Sequence, residues 1–230
     1  MFIGKIVKSD SHINYVCQIY GPREVEVEPG PADYAFGRFV RIAVRSELAE
    51  EDADARLNQA LGLSNEPKTY AVGVIYDTIL LNPAFGSLGP RLSNETQVEL
   101  FSPDYISEKA VLIYVMVLGM LEQRRTENGE AEFLSTMQGV PLLSLELGSE
   151  IETMSDEEVR AFHYFSDPEG SSEYLHMGYL PQIITQRNSL LPMVTLRMID
   201  QLERLFPQNL SLLSIVKRNF AWKLKVETTG

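Results

Sequence analysis

The chain has 230 residues, 44% hydrophobic and 23% charged, with 32 acidic against 20 basic side chains and a net charge of −12. This is an ordinary globular composition with enough apolar material for one large domain or two small ones, and its acidic excess argues against direct nucleic-acid binding unless basic residues cluster locally. The single cysteine, Cys17, excludes an intrachain disulfide and fits a reducing, cytoplasmic setting.

Phe2 to Val7, with Gly4 inside it, predicts a first strand, and Lys8 to His12 a polar turn. A second strand is expected over Ile13 to Tyr20, with Ile13, Tyr15, Cys17 and Ile19 on one side by period two. Cys17 there reads as a small core residue rather than a nucleophile. Val25 and Val27 alternate with Glu24, Glu26 and Glu28 and suggest a short half-exposed strand before Pro29-Gly30-Pro31. Phe39 to Val44 predicts another strand. Ser46 to Leu61 is rich in helix formers and is followed by Gly62, the pattern of a short inserted helix. Tyr70 to Leu80 is nearly all apolar, rich in β-branched and aromatic residues, and closed by Asn82-Pro83, so it predicts a buried central strand. Gly73 within it points to a bend or a close backbone approach, as at a barrel corner.

Residues 83–94 read as loop and Gln97 to Phe101 as a short strand. Lys109 to Gln123 is a long apolar run whose Val, Ile and Tyr content favours strand, although its Leu and Met content permits helix. Its core, Ala110 to Leu121, is too short to span a bilayer, and the N-terminus has no long apolar stretch with a cleavage site. No membrane partner is therefore expected. Asn128-Gly129 signals a hairpin turn back into Ala131 to Met137. An extended piece follows from Gln138-Gly139-Val140-Pro141 to Gly148-Ser149-Glu150-Ile151. Ser155 with Glu158 forms a capping-box pattern at the start of a helix whose apolar face would be Val159, Phe162 and Tyr164 or Phe165, ending at Asp167 to Gly170. Ser189 to Phe206 is the clearest helix, with Pro192 in its first turn and Leu191, Val194, Met198, Leu202 and Leu205 at helical spacing. Pro207 stops it, and Leu210 to Trp222 reads as a partner helix. The expected fold is α+β: a small N-terminal β-barrel over residues 1–154, followed by a C-terminal helical extension over residues 155–230.

Three groups of residues carry a family resemblance: Ile3-Gly4-Lys5-Ile6-Val7, Gly37-Arg38-Phe39-Val40-Arg41-Ile42, and Val72-Gly73-Val74-Ile75-Tyr76-Asp77. With the exit from Gln138 to Val159, the order of these signals resembles the HAS-barrel, the small N-terminal barrel of HerA-type DNA-translocating ATPases. That family continues into a P-loop motor, which needs glycine amides around the phosphate and a lysine for charge. Here the only Gly-Lys pair is Gly4-Lys5, followed by Ile6, so the motif is absent. The resemblance implies assembly and docking without ATP hydrolysis and without a cofactor. It implies a protein partner, such as an ATPase or nuclease of a DNA-processing system, or further copies of the chain.

Catalytic signals are sparse. His163 and His176 are too far apart for an i, i+4 metal pair, and His12 reads as a solvated turn residue, so no metal site is expected. Asp77, inside an apolar strand, is either a strand-end carboxylate or, with Tyr76 and His176, the centre of a small-molecule-binding or hydrolytic site. The clusters Glu47/Glu50/Glu51/Asp52 and Asp156/Glu157/Glu158 read as helix N-terminal charges. Lys217, Arg218, Lys223 and Lys225, with Phe220 and Trp222 interleaved, form one basic–aromatic patch. That patch fits a protein interface, a nucleic-acid accessory role, or the polar face of an ordinary helix.

Overall fold

The computed structural model describes residues 1–21, 24–44, 67–81, 110–126, 131–166 and 173–227. Its spine is a pair of long antiparallel strands, β4 (Lys68–Leu81) and β5 (Ala110–Arg125), in register from Lys68 opposite Gln123 to Leu81 opposite Ala110. Both runs are apolar on both faces. Val72, Val74, Tyr76, Met116, Leu118 and Leu121 enter one core, while Ala71, Ile75, Ile113, Val115 and Val117 enter another. Burial on both faces produces a continuous apolar run instead of an alternating one, which is why the period of residues 109–123 does not separate strand from helix. Gly73 lies at a register shift in this pair, and a Cβ there would meet Val115 Cγ1 at 2.6 Å and the Met116 carbonyl at 3.0 Å. The close approach expected at this glycine is present.

Around that pair lie β1 (Phe2–Ser9), β2 (Asn14–Ile19), β3 (Phe39–Ala43), β6 (Ala131–Gln138) and β7 (Glu150–Thr153). The described strands form a seven-stranded antiparallel sheet in the order β2-β1-β7-β3-β4-β5-β6. In addition β2 pairs with β5, from Asn14 opposite Met116 to Gln18 opposite Leu112, so β2 has a partner along each edge. Ile3, Cys17, Val40, Ile75, Val115 and Ile151 meet in one core, to which β1, β2, β3, β4, β5 and β7 each contribute. Gly4 allows β1 and β2 to close up, since a Cβ there would sit 2.1 Å from the Gln18 carbonyl oxygen.

The opposite face of β3, β4 and β5 is covered by helices: α1 (Asp156–His163), α2 (Leu180–Thr185), α3 (Leu191–Leu205) and α4 (Leu210–Glu227). Phe39, Val74 and Leu118 of the sheet share a core with Phe162, Val194, Leu202 and Leu213 of these helices. The fold is mixed α+β, and no described helix is long and apolar enough to cross a membrane.

Both bonds of the expected capping box are made: Ser155 N donates to Glu158 Oε2 at 2.8 Å, and Glu158 N donates to Ser155 Oγ at 3.2 Å. Glu158 also faces Arg41 of β3, whose second arm donates to Glu152 of β7 at 2.9 Å and whose guanidinium lies over the Tyr70 ring at 4.5 Å. Arg41 therefore fastens the sheet to the N-terminus of α1.

Two expectations are corrected. Residues 24–28 contain only an isolated bridge at Val25 and no strand. Glu24 accepts from Gly21 N at 2.8 Å and Asp33 accepts from Gly30 N at 2.9 Å, so the stretch is flanked on both sides by turns closed by side chains. The helix starting at Asp156 stops at His163, where the backbone turns extended at Tyr164 (φ −90°, ψ 124°). Tyr164–Ser166 is instead a strand, β8, pairing with β9 (Glu173–Leu175). The helix expected over 46–61, the loop over 83–94, the strand over 97–101 and the turn at 128–129 lie outside the described residues.

Candidate functional site

The titratable side chains weighed as candidates each have a definite place, and Cys17 is the core residue that the sequence suggests. His163 is fully buried, with Nδ1 on the Val159 carbonyl and Nε2 accepting from the Tyr179 hydroxyl at 2.9 Å. Its ring is edged by Phe39 and Phe162 at centroid distances of 5.3 and 5.1 Å. Burial pushes its pKa down to about 4, so it stays neutral in a closed aromatic cage. Cys17 is also fully buried, and burial pushes its thiol up to about 12, which leaves it protonated and inert.

Asp77 is half-buried beside a register shift in β4, where its Oδ1 accepts from the next residue, Thr78 N, at 2.8 Å. Tyr76 is buried against Tyr114, and burial raises its phenol to about 12, far from a general base at neutral pH. His176 lies beside β9, its main chain tied to His163 and to Gln138 of β6, while Asp77 belongs to the β4–β5 shift. Asp156 and Glu157 are exposed in the first turn of α1, where they favour the helix dipole. Glu47, Glu50, Glu51 and Asp52 lie outside the described residues. Among the described residues, no group of three or more His, Cys, Asp or Glu side chains is placed to hold a metal ion.

The basic–aromatic patch divides between the two sides of α4. Phe220 is buried, and Lys217 reaches Asp200 and Glu203 of α3 at 2.7 Å each, which holds its pKa above the ordinary lysine value. Lys217 thereby fastens α4 to α3. Arg218 and Trp222 face outward, Trp222 with 68% exposure. Lys223 and Lys225 sit in the last turns of the helix, their side chains outside the described residues.

The surface that sequence reasoning missed is the segment between β6 and β7. Val140, Leu142, Leu143 and Leu147 are all exposed, Leu142 by 90%. Apolar side chains on a loose loop would signify little, but this segment is tied down along its length. His12 donates from Nε2 to the Pro141 carbonyl at 2.7 Å, and its Nδ1 accepts from Ser144 Oγ at 2.9 Å. Leu145 N donates to the Tyr15 hydroxyl at 3.0 Å, and Gly148 N donates to the Ile6 carbonyl at 2.8 Å. His12 is exposed in the turn between β1 and β2, as expected, and in addition its ring props this segment. The available signal was the leucine-rich run Pro-Leu-Leu-Ser-Leu-Glu-Leu, in which Leu143, Leu145 and Leu147 alternate with Ser144 and Glu146 as in a strand although the segment forms none. Exposed apolar side chains held in place make this segment a candidate binding surface.

The model of a family described as a domain of unknown function, DUF8166, matches residues 1–52 and 49–229. No curated protein matches the chain.

Proposed function

Since the chain belongs to the DUF8166 family, whose description assigns no role, we propose from its geometry that it is a non-catalytic docking module. In this reading six strands close into a small barrel, and the barrel offers the leucine segment between β6 and β7 to a protein partner. Closure is supported by β2, which pairs with both β1 and β5, and by a core drawn from all six strands. The observation that carries the docking role is Leu142, Leu143 and Leu147 exposed on backbone pinned by His12 and Tyr15. A pinned segment loses little conformational entropy on binding, so apolar burial there is turned into affinity with little offset. The likeness of the strand motifs to the HAS-barrel favours a partner from a DNA-processing system, a motor or a nuclease, and leaves a second copy of the chain as the other partner class.

Photocrosslinking tests this. A photoreactive residue placed at Leu142 is expected to couple to one discrete protein in cells, while the same residue at exposed Gln208 does not. Equal yields from the two positions, or none from Leu142, would contradict the reading.

A further inference from the structure

We propose that the outward face of α4 binds an amphipathic helix of another protein whose flanks are acidic. The inference rests on the docking-module reading but uses a different surface from the leucine segment. Helix α4 is apolar on two sides. Leu213 and Phe220 point inward to the core, and Lys217 is held by α3. On the other side Leu212, Ile215, Asn219 and Trp222 recur at spacings of three, four and three residues, and all four are exposed. That is the seam spacing of paired helices, with an asparagine at one core position, where such a residue fixes register.

Charge selects the occupant. Between Leu210 and Glu227 the basic residues are Lys217, Arg218, Lys223 and Lys225, and the only acidic one is Glu227. Lys217 is neutralised internally, and Arg218, beside the seam, has no ion-pair partner among the described residues. A second copy would set this basic flank against its own likeness, which is repulsive in paired helices. A polynucleotide would have to approach a chain of net charge −12. A helix with carboxylates beside its apolar seam satisfies both the leucine–tryptophan stripe and the basic flank.

Trp222 is the single tryptophan, so its fluorescence reports this face alone. The probe is a synthetic helical peptide with leucines, and one asparagine, at the seam positions and glutamates on both flanks. It is expected to shift Trp222 emission to shorter wavelength saturably, with a lysine-flanked version binding about tenfold more weakly. Ile215→Asp should abolish the shift with an unchanged circular dichroism spectrum, and Arg218→Glu should reverse the preference between the peptides. Equal response to both peptides, or to neither, would overturn the proposal. So would a shift caused by a single-stranded oligonucleotide, or one that grows with the concentration of the protein alone. The variant Leu142→Ser/Leu143→Ser should bind the acidic peptide normally, so failure here and failure of the leucine segment are read separately.

Discussion

Replacing Arg41 with methionine is expected to destabilise the protein by about 3 kcal/mol, lowering the melting temperature by about 10 °C. Glu152 and Glu158 both turn to this guanidinium, and all three side chains are mostly buried, with 17% exposure for Arg41. Methionine fills the space of the stem but leaves the two carboxylates facing each other without a cation. Glu158 is also one half of the capping box at Ser155, so the start of α1 loosens together with the contact between β3 and β7. Arg41→Lys should recover little, because one ammonium cannot span two carboxylates or stack on Tyr70 as a planar fork does. Adding Glu152→Gln to the methionine variant should recover part of the loss by removing one of the stranded charges. Denaturant titration measures these differences, and a loss below about 1 kcal/mol would mean that the cluster behaves as an ordinary surface pair.

A second large effect is expected from acid. Burial, with His176 nearby, holds the folded His163 pKa at about 4 against an ordinary value of 6.5, the bond to Val159 opposing them. Between those values the unfolded chain holds a proton that the folded chain refuses. Stability from this residue is therefore complete above about pH 6.5 and falls as the pH drops toward about 4, by about 3 kcal/mol in all. Below that no more is lost, since both states are then protonated. His163→Phe keeps an aromatic ring in the cage of Phe39, Phe162 and Tyr179 but cannot titrate. It is expected to be less stable at neutral pH by about 1–3 kcal/mol, because the buried Tyr179 hydroxyl loses its acceptor. Its stability should also depend less on pH across that window. Denaturation midpoints for both proteins from neutral to mildly acidic pH give the slopes, and equal slopes would show that His163 titrates in contact with water.

What was legible in the sequence was local. The strand character of residues 70–80 and 110–123 follows from their Val, Ile and Tyr content, the close approach at Gly73 from its place in an apolar strand, and the box at Ser155 and Glu158 from a three-residue spacing. The helix over Leu191–Leu205 follows from apolar residues at helical spacing with a proline at its start. What was illegible depends on partners far along the chain. His12 is the turn residue it looks like, but its bonds to Pro141 and Ser144 come from residues far along the chain. Lys217 and Phe220 look like part of an exposed patch, but Lys217 is held by Asp200 and Glu203 of α3 and Phe220 is buried. Helix α1 ends early where Tyr164–Ser166 pairs with Glu173–Leu175, a pairing that local composition does not encode. The leucine segment alternates like a strand at Leu143, Leu145 and Leu147 yet pairs with none, and its path follows its bonds to His12, Tyr15 and Ile6.

That segment is the proposed recognition surface. With the partner captured through position 142 in hand, titration calorimetry of wild type against Leu142→Ser/Leu143→Ser measures the claim. Two leucines withdrawn from water on binding correspond to about 3 kcal/mol, so the account expects affinity to fall about a hundredfold with an unchanged melting temperature. An affinity within about twofold of wild type would contradict it.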